Sequence, residues 1–148
     1  MGLDFSHGNG VHWSCTGFHA FRVKLAAEAG IALNCMESYA FGNASGTKYD
    51  LLKLIGVGGG DDEKREEYIA LQPVITWDTV YDDVKPLLNH SDCDGELTPD
   101  ECRKVAPRLR ELVNAWSNDD RDKRMALRLA DAMEQAAAAN ENLEFRWL

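Results

Sequence analysis

The run Thr98-Pro99-Asp100-Glu101 fixes where one helix of this chain begins. A threonine oxygen accepts from the backbone N–H three residues on, and proline is tolerated at the first helical position. The glutamate reaches back to the N–H of the cap and closes a capping box. Behind it Cys102, Val105, Ala106, Leu109, Leu112, Val113 and Trp116 recur every three or four residues. The helix therefore carries one apolar stripe that has to be buried against another layer. Pro107 lies inside the stripe, removes one backbone donor and should bend the helix. A second stripe, Met125, Leu129, Ala132, Met133 and Ala136, predicts a final helix over about 119–139, stopped by Asn140.

The two ends of the chain have a different period. Leu3-Asp4-Phe5-Ser6 and Val11-His12-Trp13-Ser14 alternate apolar and polar residues around Gly8-Asn9-Gly10, the pattern of a β-hairpin. Asn142–Trp147 alternates as well and is expected to pair with that hairpin as a terminal strand. After the hairpin Phe18, Phe21, Leu25 and Ala29 take up helical spacing, predicting a helix over about 17–29 with Thr16 as N-cap and Gly30 as C-cap. Further on, Gly42–Gly46 and Gly56–Gly60 read as loops and Tyr49–Ile55 as a short helix. Asp61-Asp62 opens a helix through Leu71 that Pro73 ends. Val74–Trp77 reads as extended, and Val80, Val84, Leu87 and Leu88 as helical with a kink or restart at Pro86. The expected architecture is α+β: a mainly helical single domain over 1–148 with a small antiparallel sheet built from both termini.

Composition narrows the function classes. The chain has 148 residues, 45% apolar and 28% charged, which suits one globular domain and excludes collagen-like or broadly disordered classes. No apolar run approaches the ~18 residues of a membrane span. The first residues, Met1 to His7, have neither a basic nor an apolar leader segment. Cys15, Cys35, Cys93 and Cys102 are too scattered for a disulfide framework, so reduced thiols in a cytoplasmic protein are expected. The net charge is −9, and residues 78–101 hold eight acids against Lys85 alone. Such a chain is repelled by nucleic acid and by anionic membranes, whereas the 78–101 stretch suits a cation or a basic protein partner. The same charge would serve equally well as a solvated face that keeps the protein soluble.

Within that stretch, His90-Ser91-Asp92-Cys93-Asp94-Gly95-Glu96-Leu97-Thr98-Pro99-Asp100-Glu101 resembles the twelve-residue EF-hand calcium loop. The resemblance implies a helix–loop–helix over about 79–116. It places Gly95 at the sharp turn of position 6, Asp92 and Asp94 at positions 3 and 5, and Leu97 at the apolar position 8. It further implies a backbone carbonyl ligand from Glu96, a water-mediated one from Thr98, and a bidentate carboxylate from Glu101 at position 12. The departure is His90, one nitrogen where the family has aspartate. Losing that charge points to weak Ca2+ binding, toward ~10⁻⁴–10⁻³ M. Two other readings stand beside it. In one the loop is metal-free, Asp92 and Asp94 cap turns, and Glu101 serves only the capping box. In the other His90 and Cys93 recruit a softer metal such as zinc. Leu87–Pro99 with Val105–Arg110, and the N-terminal Gly2-Leu3-Asp4-Phe5-Ser6-His7, also resemble segments of small uncharacterised bacterial and phage proteins. That resemblance implies a bacterial or prophage setting and no particular activity.

Weaker patterns are discounted. His12, Cys15 and His19, with His7 and Cys35 nearby, have a zinc-like spacing, but a helix start near Thr16 leaves only His19 on it. Gly56-Val57-Gly58-Gly59-Gly60 has Asp61 where a dinucleotide loop needs glycine. Nothing matches a nucleophile elbow, and no catalysis is expected.

Overall fold

A computed structural model of the chain describes residues 2–8, 10–33, 36, 75–89 and 95–147. The chain opens with β1 (Leu3–Phe5) and β2 (His12–Trp13), paired antiparallel with Leu3 opposite Trp13 and Asp4 opposite His12. Gly10 sits at φ 77°, where a glycine is at home, and His7 takes φ 62° in the same turn. The alternation does what it implies: Leu3, Phe5 and Trp13 are buried, whereas Asp4 and His12 face out.

The first helix, α1, runs Cys15–Glu28 and starts two residues earlier than expected. Ser14, not Thr16, is the cap, and its Oγ accepts from the Gly17 N–H at 3.0 Å. Two hydroxyl residues stand two apart here, and Gly17 favours the first: a Cβ at that glycine would lie 2.8 Å from the Ser14 oxygen. Gly30 is the left-handed residue just past the helix, φ 77°, with Ala29 as the cap proper. Ile31 N–H donates to Ala26 and Gly30 N–H to Ala27, the pairing of a Schellman ending. The buried face of α1 includes Phe18, Phe21 and Leu25 as expected, but also His19 and Arg22. Arg22 is fully buried, donates to the Leu88 carbonyl at 3.3 Å and lies 4.9 Å over the Phe18 ring.

A 3-10 turn at Trp77–Thr79 precedes α2, the single turn Lys85–Leu88. The helix expected from Val80 to Leu88 is thus cut to its last residues, and Pro86 lies in its first turn, where no N–H is missed. What stops it extending backward is Asp82. Its carboxylate accepts from the Val84 N–H at 2.9 Å and is gripped by Arg108 through two hydrogen bonds of 3.1 and 3.0 Å. The readings at 37–74, including both expected helices there, lie outside the described residues. Ile75 forms one parallel bridge with Met36.

β3 (Gly95–Leu97) leads into α3 (Pro99–Val113), followed by α4 (Arg121–Ala138) and β4 (Leu143–Trp147). The six aliphatic and cysteine positions of the α3 stripe from Cys102 to Val113 are buried, and the helix continues through Pro107. Asp120 caps α4 by accepting from Asp122 N–H, and Asn140 ends it at φ 54° in a second Schellman arrangement. The α3–α4 junction is closed by Lys123. Its buried ammonium donates to the carbonyls of Asn114 and Trp116 and to Asn118 Oδ1, at 3.3, 2.8 and 2.8 Å. Carbonyls at a helix end have no intrahelical partner, so this cation supplies the donors they lack.

The sheet order is β2-β1-β4-β3, antiparallel throughout, with β4 pairing both β1 and β3. The fold is α+β, with the sheet made from both ends of the chain plus the short β3. Its inner face meets α1 in an aromatic cluster. Phe5, Trp13, Phe18 and Phe145 lie within 6.1 Å of one another's centroids in five of their pairings, and Trp13 stacks on Phe21 at 4.6 Å. Such pairs add about 0.5–1.5 kcal/mol each beyond the area they bury. Among the described residues no helix is long and apolar enough to cross a membrane.

Candidate metal loop

The EF-hand-like segment divides at Gly95. His90, Asp92 and Asp94, three of the expected ligands, lie outside the described residues together with Ser91 and Cys93. The second half, Gly95–Glu101, is described. Gly95, the first residue of β3, has φ 130°, a backbone course that side chains with a Cβ rarely adopt. Leu97 at position 8 is buried in the core. Glu96 lies between them, exposed on β3 and opposite Glu144 of β4.

The direction of the Glu96 backbone follows from the sheet. Glu144 turns both backbone groups toward β1: its carbonyl accepts from Ser6 N–H at 2.9 Å and its N–H donates to Ser6 Oγ at 2.8 Å. In an antiparallel ladder successive residues face opposite neighbours, so Glu96 and Glu144 form a non-hydrogen-bonded pair. The N–H and C=O of Glu96 therefore point away from β4, toward the outer edge of the sheet. Position 7 is where the calcium loop offers a carbonyl.

Thr98 and Glu101 form the capping box read from the sequence. Glu101 N–H donates to Thr98 Oγ1 at 3.2 Å, and Thr98 N–H donates to Glu101 Oε1 at 2.9 Å. One carboxylate oxygen of the position-12 residue is thus committed to the helix start. Beside it Cys102 is buried with its thiol 4.0 Å from the Leu97 carbonyl, and burial pushes its pKa up to about 11. A thiol held neutral is neither a metal ligand nor a nucleophile at physiological pH.

Two of the eight acids in 78–101, Asp82 and Asp100, form ion pairs among the described residues. Burial raises the pKa of Asp82, but its hydrogen bonds to Arg108 and Val84 N–H and the Arg108 charge outweigh this and hold it below the usual carboxylate value. Asp100 pairs with Arg103 at 2.5 Å.

Of the zinc-like group, His7, His12, Cys15 and His19 are described and Cys35 lies outside the described residues. Among the described residues no three His, Cys, Asp or Glu side chains come together to hold a metal ion. His12 Nδ1 pairs with Asp4 Oδ1 at 2.5 Å, His7 Nε2 lies 3.6 Å from Glu141, and His19 is buried on α1. Sequence reasoning missed β3 and its pairing with β4. Exposed Gly95 and Glu96 followed by the buried Leu97 are the only signal there, too short a run to distinguish from loop. No protein-family model, curated protein or solved structure matches this chain.

Proposed function

We propose that residues 90–101 form a low-affinity calcium loop with a structural role, tying α2 to β3 and α3, in a protein that performs no catalysis. The backbone course at Gly95–Glu96 carries this reading: a positive φ at position 6, then a carbonyl turned to the sheet edge at position 7. The buried Leu97 and the capped start of α3 support it by holding position 12 at a fixed place in the helix. Calcium would supply the charge that draws the carboxylates of Asp92, Asp94 and Glu101 together, with Glu96 contributing its carbonyl. His90 at position 1 keeps affinity low.

The test is thermal melting of metal-stripped protein in EDTA, calcium, magnesium and zinc. At 10 mM calcium and a Kd of ~10⁻⁴–10⁻³ M, binding adds ~1.4–2.7 kcal/mol. With an unfolding entropy of ~2.1 cal/mol/K per residue, the midpoint rises about 4–9 °C. Glu101→Gln should abolish the rise yet leave the EDTA midpoint near wild type, because glutamine still accepts from Thr98 N–H. A flat calcium response refutes the proposal, and a zinc-selective rise transfers the loop to His90 and Cys93.

A further inference from the structure

In a chain whose net charge is −9, α4 carries a row of bases that the described fold leaves without acids. Arg121, Arg124 and Arg128 stand three and four residues apart, so they share one stripe of the helix, and all three are exposed. At 1.5 Å per residue the stripe is about 10 Å long. None of the three forms an ion pair with a described residue.

The acids on and beside α4 are taken up elsewhere. Asp120 pairs with Lys24, and Asp122 accepts from Trp13 Nε1 at 3.1 Å. Asp131 and Glu134 both turn to Arg110 on α3. Asp119 is exposed before the first turn, and Arg124 meets its backbone carbonyl. Backbone groups also hold the row in place. Arg121 Nη2 donates to the His12 carbonyl at 3.2 Å, and Arg124 Nη1 donates to the Asp119 carbonyl at 2.9 Å. The hairpin turn reaches the third arginine: a Cβ at Gly10 would lie 3.6 Å from Arg128 Nη1. A guanidinium has five N–H donors, so Arg121 and Arg124 are each anchored by one and keep the rest for a ligand.

We propose that the Arg121–Arg124–Arg128 row is a docking site for an acidic peptide segment of a partner protein, one that lies extended along α4 and sets carboxylates against the three guanidinia. Alternate side chains of an extended peptide point the same way about 6.6–6.8 Å apart. Successive arginines are offset by about 4.5 and 6 Å along the helix, so acids at alternate positions come within reach of successive forks. The planar fork matches a carboxylate with two parallel hydrogen bonds. A nucleic acid is a poorer occupant, because its unbroken run of phosphates would extend past the row onto a surface rich in acids. A second copy of this chain is also disfavoured, since each carries the same net negative charge.

The probe is a labelled synthetic peptide alternating glutamate and serine, with a glutamine–serine peptide and a single-stranded oligonucleotide as counterparts, titrated with the full chain and read by fluorescence anisotropy. The glutamate peptide should bind, more tightly than either counterpart, and binding should weaken with salt. Arg124→Gln with Arg128→Gln should weaken it at least fivefold without moving the melting midpoint. Arg124→Lys with Arg128→Lys should lose part of that affinity, because the charge stays and the fork goes. Neutralising two bases on α3, Arg103→Gln with Lys104→Gln, should change it by less than twofold. Equal loss from the α3 pair would reduce the effect to bulk charge and overturn the proposal. So would absence of binding, tighter binding of the oligonucleotide, or self-association of the chain that the Arg124→Gln, Arg128→Gln pair abolishes.

Discussion

Replacing Lys123 by methionine tests the account of the α3–α4 junction. The two side chains have similar length, so the stem packing survives and only the ammonium is lost. Lys123 is 8% exposed, and its ammonium makes three hydrogen bonds to oxygens around the end of α3. Hydrogen bonds from a charged donor contribute about 1.5–3 kcal/mol each, and an orphaned buried acceptor costs about 1–3 kcal/mol. Asn114 is exposed, and so is Asn118, so water can replace the lysine at those two. Removing a buried charge also recovers part of its desolvation cost. The net expectation is a loss of about 2–3 kcal/mol, dominated by the Trp116 carbonyl. At ~2.1 cal/mol/K per residue this lowers the melting midpoint by about 6–10 °C. Urea titration checks it directly: the midpoint concentration should fall while the slope stays the same, since the surface exposed on unfolding is unchanged. A loss under about 0.5 kcal/mol, or a gain, would mean that the helix end is satisfied without the cation, and the capping argument fails.

Thr98→Ala removes one half of the capping box and should cost about 1 kcal/mol, read by the same titration; no loss would mean that α3 needs no side-chain cap. Asp82 has a folded pKa below its unfolded one, so the stability it contributes is full above about pH 4 and disappears as the pH falls through the lower folded value. Asp82→Asn should accordingly flatten the acid limb of stability against pH, and an unchanged limb would discount the Arg108 pairing. Cys102 is shifted the other way, so its contribution is complete below about pH 8.5 and declines as the pH rises toward 11. Peptide-level mapping after treatment with a thiol reagent at pH 8 should find Cys102 modified only at the rate of unfolding. Modification at the rate of an open thiol would contradict its burial.

Features governed by neighbouring residues were readable before any coordinates. The hairpin turn, the Thr98 capping box, the stop at Asn140 and the strand at 143–147 all depend on chemistry within a few residues. Features set by distant partners were not. The helix before Leu88 is shortened by an arginine 26 positions away from Asp82, which no local pattern reports. The start of α1 turned on whether Gly17 leaves space for Ser14, a steric matter on which spacing is silent. His19 and Arg22 are buried on an otherwise apolar face, which the spacing of Phe18, Phe21 and Leu25 does not report. At the candidate loop the glycine at position 6 was legible because its backbone demand is local. The outward turn of Glu96 was not, because it is imposed by Ser6 through β4.

The two middle strands of the sheet are the first and last elements of the chain, and Ser6 meets Glu144 across a separation of 138 residues. A ribosome releases them far apart in time. While α1, α3 and α4 are emerging, β1 and β3 both wait for their shared neighbour, since among the described strands β4 is the one that joins them. Closing so long a loop is entropically slow, and the contacts that reward it arrive only at the end. The aromatic cluster must wait too, because Phe145 travels with the last strand. The nascent chain is therefore a set of helices around an unfinished sheet until residues 143–147 clear the exit tunnel, and a chain stopped before Leu143 would leave both β3 and the hairpin as open edges for another chain to occupy.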